Sequence, residues 1–451
     1  MSCRRNAAAR GLCLCGWLTL ACGCATHVDH LRKLRDEFYA GDLDRAAATI
    51  DGQLQRGGSD ADVLRLERSM VELCSGRPQQ AERTLREVRD QFDYFEQKSL
   101  GESVLAMAAD DNRIAYAGED YEKVLLRAFL AMANLMGDGG DAAAYGLQVT
   151  DKQNQIIQAG FDENGENPKL SYKRVALGAY IHGAMIEATH ANYDDVTRSW
   201  AKVVSWEPEF GPGQADLQRA QAGAHSAPGH GVLYVFTLVG RGPYKREAAE
   251  VPSSAALLIA DRILSHTAEH TLPPTIAPVK VPQVVLSDNR IRTVEVSVGG
   301  TPCGATQTIT DVGQLAAQQY AAVYPRVLAR AVVRRVVKKG AVYAVKEAVD
   351  TEKGSPLNFA LDVAGVAWEA SEAADTRCWG LLPDKIQVLR LELPAGEHTI
   401  GLRPAGVTGP LGGEHPATVR IDDGRNTYML ACFPDDKPVG TVLTSQCAAG
   451  W

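Results

Sequence analysis

Apolar residues recur every three or four positions through residues 27–208, a spacing typical of amphipathic helices. The stretches AERTLREVRDQF (81–92) and YEKVLLRAFLAMANLM (121–136) show this pattern clearly. Four turns interrupt it, and each carries an Ala or Val five positions after its first residue. These turns are Gly41–Ala46, Gly76–Ala81, Gly137–Ala142 and Ala191–Val196.

This arrangement resembles the helix–turn–helix unit of tetratricopeptide (TPR) repeats. A glycine permits the left-handed exit from the first helix, and a small residue lets the two helices approach closely. The first two turns lie 35 residues apart (41 to 76), and the later gaps of 61 (76 to 137) and 54 (137 to 191) indicate insertions. We predict a TPR-like domain over residues 24–208, with a generic helical bundle as the alternative.

The pattern changes after a segment rich in Gly, Ala and Pro at 209–230, which we interpret as a linker. VLYVFTLVG (232–240) is rich in β-branched and aromatic residues and predicts a strand. We predict two strands within 281–300, a hairpin over 385–404 that turns at 394–396, and a hairpin over 417–433 that turns at 423–424.

Residues 311–349 return to a helical pattern, with Thr310 or Asp311 as the N-cap. The predicted fold class is therefore α+β and multidomain. A TPR-like α-solenoid precedes an antiparallel β domain at 231–451, into which one long helix is inserted.

The inserted helix carries the first candidate interaction face. Its segment 326–346 holds seven basic residues and no acidic one. At about 100° per residue, the basic positions form an edge opposite a valine-rich face. The candidates are Arg326, Arg330, Arg334, Arg335, Lys338 and Lys339. Such a face suits a partner protein, the acidic helical half of the same chain, or anionic lipid headgroups, and a solvated face with local ion pairs is the simpler alternative.

The N-terminus has the pattern of a secretion signal, which we place at residues 1–23. Three arginines precede an apolar segment of 11 residues at 11–21, too short for a bilayer span, which needs about 20. The ending LACGCAT resembles the lipobox of bacterial lipoproteins, in which a cysteine is acylated and becomes the first mature residue. Cys24 fits that position, and Cys22 is the alternative. Thr26 at position +2 implies an outer-membrane address facing the periplasm.

A resemblance also extends over most of the chain. It is carried by AYAGEDYEKVLLRAFLAMANL, YIHGAMIEATHANYDD, GVLYVFTLVGRGPYKRE, TITDVGQLAAQQYAAVYPRVLARAVVRRVVKKGAVYA and CWGLLPDKIQVLRLELPAGEHTI, in this order. Residues 27–405 resemble a family of uncharacterised bacterial lipoproteins with a TPR-like N-terminal half. The resemblance implies a lipid-anchored envelope protein and no established catalytic motif.

Five cysteines follow the lipobox: Cys74, Cys303, Cys378, Cys432 and Cys447. In an oxidising periplasm, two disulfides and one spare thiol are expected. Cys432 and Cys447 are close in the sequence, and Cys303 and Cys378 flank the long helix, so these are the candidate pairs. Cys74 lies in a helical repeat and is expected to be a buried small hydrophobe.

The sequence contains few motifs that are typical of catalytic or metal-binding sites. His266, Glu269 and His270 match the H-x-x-E-H spacing of one class of zinc protease, but prolines follow at once and no further acidic ligand is evident. No GxSxG elbow, Walker A loop or papain-like cysteine signature is present. We therefore expect no cofactor, no metal and no catalytic residue.

The formal net charge of −8, with 45% hydrophobic and 23% charged residues, is that of an ordinary globular protein and argues against a general nucleic-acid binder. The predicted function is a lipid-anchored envelope adaptor. It would bind envelope proteins through its TPR-like helical surface, in outer-membrane or cell-wall assembly. The alternative is an envelope hydrolase or transferase with an active site at the helix–sheet junction.

Overall fold

The computed structural model describes residues 27–99, 115–162, 165–266, 277–348 and 373–445. The predictions for Cys22, Cys24, Glu269, His270 and Cys447 lie outside these residues. The side chains of Lys338 and Lys339 also lie outside the described part.

The chain begins with a helical half, in which each helix packs against the next along the chain. The helices are α1 (His27–Tyr39), α2 (Leu43–Leu54), α3 (Ala61–Cys74), α4 (Pro78–Ser99), α5 (Asp120–Met136), α6 (Ala142–Gln158), α7 (Leu177–Glu187), α8 (Tyr193–Trp206) and α9 (Gly213–Gln221). A short 3-10 helix, Pro168–Ser171, lies between α6 and α7.

The four predicted turns are confirmed, because each separates two of these helices. Gly41 and Gly76 have φ angles of 81° and 77°, in the left-handed region that glycine favours. The residues five positions after the start of each turn are fully buried: Ala46, Ala81, Ala142 and Val196. The arrangement of these pairs into a TPR-like solenoid stays a prediction.

The strands are β1 (His230–Val239), β2 (Tyr244–Glu250), β3 (Val279–Val285), β4 (Thr293–Val298), β5 (Thr301–Ala305), β6 (Gln307–Asp311), β7 (Lys385–Pro394), β8 (Gly396–Gly406), β9 (Gly409–Pro410), β10 (His415–Ile421), β11 (Asn426–Phe433) and β12 (Leu443–Thr444). The first sheet has the order β12-β11-β1-β7-β6, and the second has the order β10-β8-β4-β5, with β9 beside β8. Strands β2 and β3 form a separate pair.

One pairing corrects the prediction of an antiparallel domain. Strands β1 and β11 are parallel, in register from Val232 opposite Asn426 to Val239 opposite Phe433. Strands β2 to β10 all lie between β1 and β11 in the sequence. Strand β11 therefore pairs with β1 only after all strands of the second sheet have formed. The other described pairs are antiparallel, as expected.

The two predicted hairpins are also wrong, although their strands are present. Strand β7 belongs to the first sheet and β8 to the second, and the bend at 394–396 carries the chain from one to the other. Likewise, β10 lies in the second sheet and β11 in the first. A short turn signal shows that the chain changes direction, but it does not show which strand becomes the neighbour.

Both faces of the first sheet are buried. Leu233 and Val235 of β1 pack with the second sheet, whereas Tyr234 and Phe236 pack into the core of the helical half. Burial on both faces explains why β1 is a continuous apolar run without polar alternation. The segment 209–230, predicted to be a linker, contains α9, and its Ala220 belongs to the same core. The helical half and the first sheet therefore share one hydrophobic core.

Two further helices, α10 (Ser254–His266) and α11 (Val312–Ala348), complete the described structure. The Oδ1 atom of Asp311 accepts a hydrogen bond of 2.8 Å from the backbone N–H of Gln314, so Asp311 is the N-cap of α11. Helix α11 packs against α10 and β3 through a separate aliphatic core. Among the helices that the structure describes, none is long and apolar enough to cross a membrane.

Candidate binding cleft

A cleft of about 850 Å³ opens between α10, α11 and two short stretches of the helical half, 160–162 and 166–168. Its lining combines apolar and charged residues: Phe161, Asp162, Glu166, Asn167, Pro168, Ala255, Ile259, Arg262, Ile263, Ala322, Pro325, Arg326 and Arg330. Its volume is in the range of sites that hold ligands or anchor side chains.

The two faces of α10 explain one wall of the cleft. Ala256, Ala260 and Leu264 recur every four residues and are buried against α11 and β3. The adjacent face of the helix presents Ile259 and Ile263 to the cleft. Helix α10 therefore fills the small core with one face, and Ile259 and Ile263 are partly buried between that core and the cleft.

Arg326 of α11 joins the cleft to the helical half. Its Nη1 atom donates a hydrogen bond of 3.3 Å to the carbonyl oxygen of Gly160, and its Nη2 atom lies 3.4 Å from the Oδ2 atom of Asp162. This part of the predicted basic face is therefore engaged within the molecule and fixes the loop that forms the opposite wall.

Two other guanidinium groups at the cleft are exposed. No ion pair joins Arg262 or Arg330 to any other residue that the structure describes. In the same cleft, Phe161 is 53% exposed, a high value for a large apolar residue. The cleft thus combines an uncovered apolar surface with two available positive charges.

The rest of the predicted basic face differs from the expectation. The side chain of Arg334 is only 5% exposed and lies beside the buried residues Val332 and Val333, so its outward placement is wrong. Arg335 donates hydrogen bonds of 3.0 and 2.6 Å to the carbonyl oxygens of Ala277 and Pro278. Helix α11 contacts α10 on one side and β3 on another, so more of its circumference is buried than one valine stripe suggests.

Sequence reasoning missed a buried pair of glutamates in the helical half. Glu67 and Glu122 are both fully buried. The two carboxylate oxygens of Glu67 accept hydrogen bonds of 2.8 Å from the backbone N–H groups of Gly380 and Leu381. Glu122 accepts one of 2.7 Å from the N–H of Trp379. The available signal was the position of Glu67 within the apolar stripe of α3, between Leu64 and Val71.

Burial also shifts the acidities in this cluster. Desolvation raises the pKa of Glu67 to about 7, although Arg35 and the backbone N–H groups oppose the shift. The same cause raises the pKa of Cys378, whose Sγ atom accepts a hydrogen bond of 3.9 Å from Arg35, to about 11. The glutamates satisfy backbone donors in a buried irregular segment, and we assign them the role of holding the CWGLL segment (378–382).

The predicted disulfide between Cys303 and Cys378 is not formed. Cys303 is exposed on β5 and Cys378 is buried beneath the helical half, and both are free thiols, so this predicted pairing is wrong. The chain does return to the start of α11, since β6 pairs with β7 and Asp311 lies opposite Lys385. Cys303, however, lies on the exposed strand β5, whereas Cys378 is held in the buried segment beside Arg35. Within the described residues, no group of three His, Cys, Asp or Glu side chains could hold a metal ion. His266 is the last residue of α10.

Comparisons of the chain with family models, with curated proteins and with solved structures find no match. Membership of the lipoprotein family therefore stays a prediction. The cleft is interpreted from its own geometry.

Proposed function

We propose that this protein is a lipid-anchored envelope adaptor that binds an acidic, partly apolar segment of a partner protein in the cleft. The observation that carries the proposal is the combination of apolar lining residues with the exposed Arg262 and Arg330. A partner segment with apolar side chains would cover Phe161 and Ile259, and its carboxylates would pair with the two arginines.

The helical half supplies the second wall of this binding site. We propose that helices α1–α8 form a TPR-like solenoid, since each predicted turn joins two packed helices with a fully buried small residue between them. Arg326 ties the stretch 160–162 of that half to α11. A bound partner segment would then contact both halves of the chain at once.

The alternative of an envelope hydrolase or transferase predicts a polar pocket at the helix–sheet junction. The contact between α11 and β3 is instead lined by Ala, Leu and Val side chains, among them Leu328, Val332 and Val281. The acids of the buried pair, Glu67 and Glu122, are covered and engaged with backbone N–H groups. These contacts favour the adaptor.

The partner site can be tested by fluorescence anisotropy with labelled 15-residue peptides, each carrying two apolar residues flanked by glutamates. Arg262→Glu combined with Arg330→Glu should weaken binding by about tenfold or more, because two attractive charges become repulsive. The matched control, Arg32→Glu with Arg56→Glu, makes the same charge change at exposed positions of the helical half and should alter binding less than twofold.

Peptides with lysine in place of glutamate test the charge preference. Equal binding of both peptide series, or equal loss in both double variants, would contradict the cleft as an acidic-peptide site. Binding of the protein to anionic phospholipid vesicles, without peptide binding, would assign the arginines to a lipid surface instead.

The anchor is a separate part of the proposal. We propose that Cys24, or else Cys22, carries a diacylglycerol thioether that holds the protein on the outer membrane, facing the periplasm, because several acyl chains anchor a protein stably where one does not. Growth with an alkyne-tagged fatty acid should label the wild-type chain and Cys303→Ala, but not the double variant Cys22→Ala, Cys24→Ala. Retained labelling in the double variant, or an uncleaved N-terminus by intact mass, would contradict the anchor.

A further inference from the structure

Two cysteines from distant parts of the chain meet at the junction of the helical half and the first sheet. Cys74 is the last residue of α3 and only 4% exposed, and Cys432 lies in β11 and is partly exposed. The two side chains are neighbours, since interaction with Cys432 is the largest of the causes that raise the pKa of the Cys74 thiol. Both side chains pack in the core that the helical half shares with the first sheet.

A single short segment fixes the backbone at both cysteines. The carbonyl oxygen of Cys74 accepts a hydrogen bond of 2.9 Å from the N–H of Thr441, and that of Cys432 accepts one of 2.8 Å from the N–H of Val439. Gly440 lies between these two donors and packs against the Cys74 carbonyl. The two cysteines are therefore held in place by the same three residues.

We propose that Cys74 and Cys432 form a reversible disulfide bond that fastens the helical half to the first sheet. This pairing replaces the sequence-based pairing of Cys432 with Cys447. It depends on the contact between the two thiols and not on the proposed partner or anchor.

The chemistry requires an oxidant, and we name a thiol–disulfide oxidoreductase in its disulfide form. The thiolate of the more exposed Cys432 attacks that disulfide, which forms a mixed disulfide and releases one thiol of the oxidoreductase. The thiolate of Cys74 then attacks the Cys432 sulfur, so the new S–S bond forms and the second thiol leaves. In total, the oxidoreductase disulfide gains two electrons and becomes two thiolates. These thiolates take up the two protons that Cys432 and Cys74 lose, which gives the dithiol form of the oxidoreductase.

The environment of Cys74 supports this order of events. The neighbouring Cys432, and after it burial, raise the pKa of the Cys74 thiol well above its usual value. A buried, protonated thiol is a poor first nucleophile for a bulky oxidant. It is well placed as the second one, because its target sulfur is already in contact.

The test is disulfide mapping of the full chain after oxidation with oxidised glutathione and blocking of the remaining thiols with iodoacetamide. Trypsin leaves Cys432 and Cys447 on one peptide, since Lys437 precedes Pro438. Asp-N protease cuts before Asp435 and Asp436 and separates them. A cross-linked pair that joins the Cys74 peptide (62–89) to the Cys432 peptide supports the proposal.

A cross-link between Cys432 and Cys447, or alkylation of both Cys74 and Cys432 in a sample whose exposed Cys303 is fully oxidised, would overturn it. A second measurement uses thermal unfolding. Oxidation should raise the melting temperature of the wild type and of Cys303→Ser by about 5 °C, because the cross-link closes a long loop of the unfolded chain. The same treatment should leave Cys432→Ser unchanged, and an equal rise in that variant would contradict the proposal.

Discussion

The Oε1 atom of Glu122 accepts a hydrogen bond of 2.7 Å from the backbone N–H of Trp379, a residue 257 positions later in the chain. The indole ring of Trp379 is fully buried and lies 5.2 Å, between ring centroids, from Phe129 on the same helix. Two residues about two turns apart on α5 thus contact both the backbone and the side chain of Trp379. This contact ties the segment before β7 to the helical half.

Replacing Glu122 tests how much this hydrogen bond contributes to the free energy of unfolding. Glu122→Gln keeps the shape but turns one acceptor oxygen into an NH₂ group among the donors of Tyr116 and Glu119. We expect the free energy of unfolding to fall by about 2 kcal/mol, because buried donors lose their acceptor. Urea unfolding followed by tryptophan fluorescence measures it. Glu87→Gln, at an exposed position of α4, should stay within about 0.5 kcal/mol of the wild type.

The raised pKa of Glu67 predicts a pH dependence of stability. The carboxyl has a pKa of about 7 when folded, against a usual value of 4.5, so the folded state binds the proton more tightly than the unfolded state. The contribution of this group to stability therefore decreases as the pH rises from about 4.5 through about 7, by up to about 3 kcal/mol.

Comparison with Glu67→Gln isolates this effect from the other titrating groups. The difference in unfolding free energy between pH 5 and pH 7.5 should be smaller in Glu67→Gln than in the wild type. Carboxyls with lowered pKa values, such as Asp93, titrate below their usual value of 3.8, so they contribute little to the change between pH 5 and pH 7.5. An identical pH dependence in the two proteins would show that Glu67 is ionised in the folded state at all these pH values.

Gly440 is predicted to tolerate no side chain. Its φ angle of 74° lies in the left-handed region, and a Cβ atom would overlap the carbonyl oxygen of Cys74. Gly440→Ala should lower the unfolding free energy by about 3 kcal/mol under reducing conditions, through backbone strain and displacement of α3. Gly413→Ala is the control, since a Cβ atom there meets nothing within 4 Å. Equal stability of the two variants would argue against this packing.

Ala81, at the end of the turn between α3 and α4, offers a test of how closely these helices pack. Ala81 is fully buried in the shared core, and Gln80 beside it is exposed. Ala81→Leu should destabilise the protein by about 2 kcal/mol through overpacking of the contact between α3 and α4. Gln80→Leu adds an apolar side chain at the same place in the sequence and should change the melting temperature by less than 2 °C. Tolerance of leucine at both positions would contradict close approach of the helices.

Local features could be predicted from the sequence alone. The turns at Gly41 and Gly76, the strand at 232–240 and the N-cap at Asp311 all follow from residue type and short-range spacing, because turn geometry and capping depend on a few neighbouring residues. The apolar face of α11 was predicted for the same reason. The burial of Arg334 was not predicted. A helical pattern shows which side of a helix is apolar, but it does not show how many neighbouring elements will cover the helix.

The sequence by itself determined the helices on either side of the four turns, the long helix after Asp311 and the strands within 232–240, 281–300, 385–404 and 417–433. It did not show α9, which lies in the predicted linker. The tertiary structure decided which strands became neighbours, that the segment 209–230 joins a continuous core, and that Glu67, Glu122 and the thiols of Cys74 and Cys432 act across hundreds of residues. The physical reason is the separation along the chain over which each kind of interaction acts. Backbone dihedral preferences and side-chain periodicity act over a few residues, whereas burial of a carboxylate or contact between two thiols depends on which distant surfaces meet.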